Sequence, residues 1–344
     1  MRICCLRLKN KSTWHNNRDY ISRFFYVLRG VAILSVAYAH SISLENVAFQ
    51  RIGMLLGLLG VPLFLLSSGF FFYPTSFTKL VKNTSISIIV PWIIWGTFAY
   101  SLSVYLGSVI SLNSYLAYIL GNGTWLYFVP VLIFLRLVFY FFNSDVCMIC
   151  FIATSLLFSV LSYYPPPQII ESQLVTPFQN PFNWCGYFAL GVLINRHQLM
   201  EKILNKICSL WKMCGLLLCW FILVVAIVSG SFKINYWHPL TVLFIYISIP
   251  VLLKVSMIIH KSRLFYCLGR NSYLLFFLHM QLGIASANII FSYLIHLPLL
   301  ILAFKPITVL GITMSIILLI RYLLQISGIK SISKYIGIVM PSNN

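Results

Sequence analysis

Charged residues are scarce in this sequence, and acidic residues are the scarcest of all. Only 8% of the 344 residues are charged, with 5 Asp+Glu against 24 Lys+Arg, whereas soluble domains carry about 25% charged residues. With 60% hydrophobic residues and a mean hydropathy of +0.93, the composition excludes a soluble globular protein. Because one membrane span needs about 20 apolar residues, the length predicts an all-α, polytopic membrane bundle of about ten transmembrane helices.

The sequence also lacks a recognisable disulfide framework, a metal-binding pattern, an internal repeat and a low-complexity run. Its nine cysteines are scattered. Cys147 and Cys150 form one C-x-x-C, but no second pair and no histidine-rich partner accompanies it. Thiols buried in a membrane are the simpler interpretation, with zinc or redox use as the alternative. We therefore predict no metal site.

Positive charge sets the predicted orientation of the helices, because cytoplasmic loops of membrane proteins collect Lys and Arg. Residues 1–23 contain six of these residues and one acid, so the N-terminus is predicted inside. Ten spans then place both termini and the basic loops in the cytoplasm. We predict a basic segment over 1–23, a membrane domain over 24–320 and a cytoplasmic tail over 321–344. The net charge of +19 then reflects topology and not nucleic-acid binding; a polyanionic cytoplasmic ligand such as a nucleotide carrier is the alternative.

The first predicted span carries an arginine near its inner end and a histidine near its outer end. Arg29 and His40 are 40 − 29 = 11 positions apart, which is three helical turns plus roughly 20°, so both side chains leave one helix face about 16 Å apart. Ionisable residues inside a span are costly and mark functional sites. Taken singly, a snorkelling arginine and a hydrogen-bonded histidine are the simpler interpretations. Together, the pair favours a polar track through the protein.

Other candidate residues lie in later segments. Lys79 and Lys82 follow the second span, where they could bind phosphate groups or simply mark the inner side. Ser68, beside Gly69, indicates close helix packing or part of a substrate path. Trp125 opens the fourth span, where it fits an interfacial aromatic belt or a stacking surface for a sugar. His279 lies about 10 Å inside the ninth span and is either a hydrogen-bonded interior residue or part of a substrate path.

Four segments, in order, resemble signatures of the membrane acyltransferase-3 family. These segments, which extend over most of the chain, are 28–41, 61–71, 125–126 and 268–279. Within that family, the arrangement is similar to the O-acetylases of bacterial surface polysaccharides, including lipopolysaccharide, and to the fucose 4-O-acetylase-like group. The resemblance implies a multi-pass protein of the bacterial cytoplasmic (inner) membrane. It also implies an acyl-CoA donor, usually acetyl-CoA, and a hydroxyl acceptor on a polysaccharide or lipid-linked sugar.

The resemblance also assigns roles to residues. It implies that Arg29 and His40 are the critical pair and that Lys79 and Lys82 help to bind the donor. Family members often have arginines at those two positions, and lysine lacks the bidentate fork that arginine offers to phosphate. Relatives commonly have an aspartate where this chain has Tyr26, so another hydroxyl or backbone group is expected to orient Arg29.

Neutral His40 could take the proton of the attacking hydroxyl or carry the acyl group covalently for one step. Arg29 could steer the donor or stabilise negative charge. The main competing function is a transporter or flippase for a glycolipid or polysaccharide precursor, which paired broken helices or inverted repeats would favour. Transport of acyl donors without sugar chemistry and a non-catalytic scaffold are further alternatives. The sequence fixes neither the acceptor sugar nor the oligomeric state.

Overall fold

The structure is a computed structural model that describes residues 18–42, 47–73, 76–164, 176–200, 210–294, 297–327, 332–333 and 335–338. These residues form helices and connecting loops, with no strand among them. Eight of the described helices are long and apolar enough to cross a membrane. The predicted all-α polytopic bundle is thus confirmed, while the number of crossings and the side of each terminus stay predictions. Most of the N-terminal segment, much of the outward loop at 164–182 and most of the tail beyond 327 lie outside the described residues.

The first two predicted spans are formed by three helices. They are α1 (Arg18–Ser41), α2 (Val47–Gly57) and α3 (Gly60–Phe70). The second span is interrupted at Leu58 and Leu59, where a turn separates α2 from α3. Pro62 lies four positions after Leu58 and has no N–H to donate to its carbonyl. The missing hydrogen bond accounts for the interruption at this position.

A short helix lies between the third and fourth apolar segments, on the side of the protein that is predicted to face outward. The third comprises α4 (Phe77–Thr84), a π-helical turn (Ser85–Ile89) and α5 (Val90–Tyr105). The short helix is α6 (Leu112–Ile119). A 3₁₀ turn (Trp125–Tyr127) leads into α7 (Phe128–Phe141), an apolar helix shorter than the eight candidate spans.

The described residues from position 145 onward add eight helices. They are α8 (Asp145–Tyr163), α9 (Cys185–Arg196), α10 (Leu210–Ser229), α11 (Pro239–Ile258), α12 (Arg263–Arg270), α13 (Ser272–Leu278), α14 (Ala285–Phe291) and α15 (Pro298–Ile326). A 3₁₀ turn (Pro181–Asn183) precedes α9, and a second (Ser292–Leu294) follows α14. A π-helical turn (His279–Ile284) joins α13 to α14.

Helix α1 is central to the described bundle. It packs against α2, α3, α11, α12, α13 and α15. Its apolar residues Phe24, Leu28 and Ile33 are completely buried. By contrast, α10 leaves Leu218 and Phe221 exposed, as expected of a helix that faces lipid. The residues of α1 are therefore held by the protein and not by the bilayer.

Glycines allow the backbone of α1 to touch its neighbours. A Cβ added at Gly30 would lie 2.2 Å from the Phe265 carbonyl oxygen, and one added at Gly269 would lie 1.6 Å from the Tyr26 carbonyl oxygen. Near the other end of α1, a Cβ at Gly57 would lie 2.6 Å from the Ala39 Cα. Small residues at helix interfaces permit such close approach within a membrane. The two ends of α1 are thus fixed in position by backbone contacts.

Candidate active site

Arg29 and His40 lie on one uninterrupted helix. Helix α1 extends from Arg18 to Ser41 and includes both residues. The helical repeat then places the two side chains on one face, about 16 Å apart along the axis. The predicted geometric relationship between the two residues therefore holds in the structure.

Two histidine rings meet at the His40 end of this face. The ring centroids of His40 and His279 are 5.3 Å apart, and the ring planes are inclined by 49°. His279 is completely buried, whereas the His40 side chain is exposed. The π-helical turn that begins at His279 is a local irregularity of a kind that is frequent at functional sites. The structure therefore places side by side two histidines that were predicted from the sequence as separate candidate residues.

The hydrogen bond of His279 determines which ring nitrogen is free. Its Nδ1 lies 2.8 Å from the Phe276 carbonyl oxygen. Because a carbonyl oxygen only accepts hydrogen bonds, Nδ1 carries the proton in the neutral ring and Nε2 keeps its lone pair. Nε2 is buried and has no hydrogen-bond partner among the described residues. A basic nitrogen is thus held ready for a proton donor or an electrophile.

Trp125 forms the next layer beside the histidine pair. Its ring lies edge-on to His279, with centroids 6.2 Å apart, and it is only 7% exposed. Its Nε1–H is buried without an acceptor. The position differs from a lipid-facing aromatic belt, because the ring packs between His279 and Tyr118. Trp125 therefore belongs to the wall of the site.

A hydroxyl and amide cluster continues from Trp125. Gln281 Nε2 donates to the Tyr118 hydroxyl at 2.9 Å and to Ser103 Oγ at 3.3 Å. The Tyr118 ring lies 6.0 Å from that of Trp125. None of these three polar residues was predicted from the sequence, because none is a charged residue or a histidine within a span. Only the position of Gln281, two residues after His279, could have indicated one of them. The cluster offers hydrogen-bonding groups beside the histidine pair.

Arg29, at the other end of the face, has no counter-ion within the described part of the chain. Its Cζ lies 5.9 Å from the centroid of the Phe71 ring. The structure records no hydrogen bond or ion pair between its guanidinium and another described residue. The Tyr26 ring packs edge-on against Tyr266, with centroids 5.4 Å apart. Arg29 therefore presents unused hydrogen-bond donors.

Arg136 is a second arginine near Arg29. It lies on α7, close enough to Arg29 for the two guanidinium groups to interact electrostatically. Its Nε donates to Thr84 Oγ1 at 3.2 Å. The sequence analysis passed over Arg136, although the rule that ionisable residues within apolar helices mark functional sites would have found it. The same rule would have found Lys305, which is 8% exposed within α15.

The structure also places the remaining candidate residues. Helix α4 begins early enough to contain Lys79 and Lys82, which are exposed, while Leu80 and Thr84 form its buried face. Lys82 is two positions from both buried residues, which is about 200° around the helix, so it points away from Arg136.

Ser68 is partly exposed on α3 and makes no hydrogen bond to the histidine pair. A Cβ added at Gly69 would lie 2.0 Å from the Phe188 carbonyl oxygen, so this segment packs closely against α9. The packing interpretation of this segment therefore accounts for its small residues.

The fold and site define a class of protein: an α-helical, multi-pass membrane protein with an arginine and a histidine pair on one central helix face. A family model described as an acyltransferase domain, Acyl_transf_3, matches residues 23–324. The chain therefore belongs to the acyltransferase-3 family and is a multi-pass membrane acyltransferase, as the resemblance predicted. No curated protein and no solved structure matches the chain.

Proposed function

We propose that this protein transfers an acetyl group from cytoplasmic acetyl-CoA to a hydroxyl of a surface polysaccharide or lipid-linked sugar in the bacterial inner membrane. The observation that carries the proposal is the pairing of His40 with His279 at one end of a helix face whose other end bears Arg29. The separation of about 16 Å between Arg29 and His40 along α1 suits a donor that has phosphates at one end of a long flexible arm and a thioester at the other. The predicted topology puts the phosphates inside and the acyl group toward the acceptor.

The chemistry follows from the state of the histidines. Neutral His40 accepts the proton of the acceptor hydroxyl while the hydroxyl oxygen attacks the thioester carbonyl. The carbon–sulfur bond then breaks, and the departing thiolate takes up that proton, so that the histidine is regenerated. His279, whose ring lies beside that of His40 and keeps a lone pair on Nε2, stabilises the positive charge that forms on His40. An acyl-histidine intermediate is the alternative route, and both routes need an unprotonated imidazole.

The acceptor is proposed to bind beside Trp125. Sugars are recognised by hydroxyl and amide groups next to aromatic rings, and Tyr118, Gln281 and Ser103 supply such groups. His40 is exposed, which allows a bulky acceptor to reach it. The acceptor would thus meet the thioester at the histidine pair.

The test is a transfer assay with purified protein in detergent or liposomes, given acetyl-CoA and a de-acetylated surface glycan. We expect release of free thiol that depends on the glycan, together with an acetyl ester on the sugar detected by mass spectrometry. Thiol release without an acetylated sugar, or no thiol release with any glycan of the host, would argue against the proposal.

A transporter for a glycolipid precursor is the second candidate, because the second span is interrupted at Leu58 and Leu59 and broken helices are common in transporters. A transporter would move labelled glycolipid across liposomes without consuming acetyl-CoA. The thiol assay therefore separates the two candidates.

A further inference from the structure

A row of aromatic rings leads from the histidine pair to the short helix α6. The Trp125 ring lies 6.2 Å from that of His279, and the Tyr118 ring lies 6.0 Å from that of Trp125, measured between centroids. The row continues to Tyr100, 5.6 Å from Tyr118, and ends at Tyr115, 5.3 Å from Tyr100. Trp125 and the three tyrosines are named the aromatic row below. The row connects the histidine pair with a helix on the side that is predicted to face outward.

Hydrogen bonds hold the three tyrosines of the row in place. The Tyr115 hydroxyl lies 2.9 Å from Thr97 Oγ1, and the Tyr118 hydroxyl accepts from Gln281 Nε2 at 2.9 Å. The Tyr100 hydroxyl donates to a backbone carbonyl of the loop that precedes α6. A ligand that binds to these rings therefore has few side chains to order, which favours binding.

The exposure of the row increases away from the histidines. Trp125 is only 7% exposed, whereas all three tyrosines are partly exposed. On α6, Leu116 and Leu120 are exposed apolar residues, and Tyr118 is two positions from each of them. Two positions correspond to about 200° around a helix, so Tyr118 points away from the exposed leucines. Its position favours a ligand-binding surface over an interfacial aromatic belt, which would share the lipid-facing side.

The segment that supplies the row carries no charge. The chain contains 24 Lys+Arg and 5 Asp+Glu, yet none of the residues 84–135 is charged, and none is a histidine. Its polar side chains are hydroxyls, amides and indole N–H groups. An anionic ligand would lose hydration here without meeting a cation of this segment. Aromatic rings beside hydroxyl and amide groups suit neutral sugars, whose C–H groups pack on rings and whose hydroxyls both donate and accept hydrogen bonds.

We propose that the aromatic row binds successive neutral sugars of an oligosaccharide acceptor. The sugar that receives the acetyl group lies at the histidine pair, and its neighbours in the glycan lie along Tyr118, Tyr100 and Tyr115. The assignment rests on the proposed function for the ligand being a glycan. It adds that the acceptor is a chain of neutral sugars and not a single sugar on a lipid diphosphate, because successive ring contacts from Trp125 to Tyr115 offer more surface than one sugar covers.

The first experiment measures glycan binding without the acyl donor. Single sugars and longer oligosaccharides are prepared from the de-acetylated surface glycan of the host, and calorimetry measures their binding to the purified protein. We expect the longer oligosaccharides to bind more tightly than single sugars. Tyr115→Leu should weaken binding of the longer ones about three- to tenfold, because one aromatic contact is lost, and leave single sugars unaffected. Since leucine keeps the apolar packing, the unfolding midpoint should change little.

Tyr105→Leu is the matched control. Tyr105 lies at the end of α5, is 85% exposed and makes no ring contact with another described residue. It should bind the longer oligosaccharides as the wild type does. Equal binding by Tyr115→Leu and the wild type, or an equal loss in Tyr105→Leu, would overturn the assignment and leave the proposed function intact. If no oligosaccharide binds to the wild type, the assignment and the proposed glycan acceptor both fail.

The second experiment repeats the comparison in the transfer assay. We expect Tyr115→Leu to raise KM for the longer oligosaccharides by the same factor, with kcat and KM for acetyl-CoA unchanged. Transfer to single sugars should not change. A purely structural role would not depend on acceptor length, so an equal fall in kcat for long and short acceptors would overturn the assignment.

The third experiment tests the neutral character of the site. The primary hydroxyls of the longer oligosaccharides are oxidised to carboxylates, and binding to the wild type is measured again. We expect weaker binding of the oxidised oligosaccharides, because their carboxylates lose hydration beside an uncharged segment. Equal or tighter binding of the oxidised forms would overturn the assignment of a neutral acceptor.

Discussion

The two ends of the Arg29–His40 face of α1 are built alike but carry different chemistry. Close contacts at glycines bring neighbouring backbones against both ends, at Gly30 and, through Gly57, at Ala39. Around Arg29 the surroundings hold two cations and no described acid, whereas around His40 they hold a second histidine, Trp125 and neutral hydroxyl and amide groups. The same packing rule thus supports a permanently charged site and a neutral one.

The difference explains why the two sites are separate. An arginine stays protonated and can only attract, orient and hydrogen-bond anions, while a neutral imidazole can accept and return a proton. A cation close to the histidine pair would disfavour the imidazolium that forms during transfer. A rigid helix that holds the arginine about 16 Å away keeps these functions apart. The comparison therefore predicts that substitutions at the two ends fail in different ways.

The largest effect is expected from His40→Ala. Loss of a general base costs typically about 10²–10⁴-fold in rate. Transfer of the acetyl group should therefore fall by that factor, with KM for acetyl-CoA nearly unchanged. His197→Ala is the control, because that histidine lies with Asp145, away from the site. Near-normal transfer by a properly inserted His40→Ala protein would remove His40 from the mechanism.

The next largest effect is expected from Gly269→Ala. The new methyl group would lie 1.6 Å from the Tyr26 carbonyl oxygen, so α1 and α12 must separate. Overpacking of this kind costs about 1–3 kcal/mol or more, and we expect a lower unfolding midpoint. Gly311→Ala is the control, since no heavy atom lies within 4 Å of its added Cβ. If Gly269→Ala has the stability of Gly311→Ala, the backbone contact is absent.

A smaller effect is expected at His279. His279→Leu removes the lone pair of Nε2 and should lower kcat about tenfold, while loss of the Nδ1–H bond to the Phe276 carbonyl should lower the free energy of unfolding by only about 1 kcal/mol. His279→Gln can still donate to the Phe276 carbonyl and present an oxygen, so it should retain more activity. If His279→Leu lowers stability and leaves kcat unchanged, the residue is structural and the pairing with His40 is incidental.

The sequence predicted the class of fold and the main polar residues of the site for a physical reason. Apolar length defines spans, and a charged or titratable residue within a span is costly enough to be conspicuous. Arg29, His40 and His279 were recognised in this way. The helical repeat also gave the relation between Arg29 and His40, because it is a local property of one helix.

What the sequence did not predict depends on contacts between distant segments. The pairing of His40 with His279 joins residues 239 positions apart (279 − 40), and no local pattern encodes that distance. The electrostatic interaction of Arg136 with Arg29 likewise joins residues that are far apart in the sequence. Trp125 was expected at the lipid interface or stacked on a sugar, but the structure buries it. Composition alone does not distinguish an aromatic ring at the membrane interface from one packed inside the bundle.

The smallest effect is expected at Lys305, and it tests whether the Arg29 end and the His40 end of the site differ in charge. Lys305 is a nearly buried cation toward the Pro298 end of α15. The predicted topology places that end outside. The residue has no partner among the described residues. If the outer half of the protein works as a neutral site, its charge is merely a cost, and Lys305→Met should leave transfer unchanged and raise stability slightly, by up to about 1 kcal/mol. Thermal unfolding and the glycan assay check both parts. A folded Lys305→Met protein that has lost transfer would instead show that a cation takes part in acceptor binding, and the outer end of the site would then be charged as well.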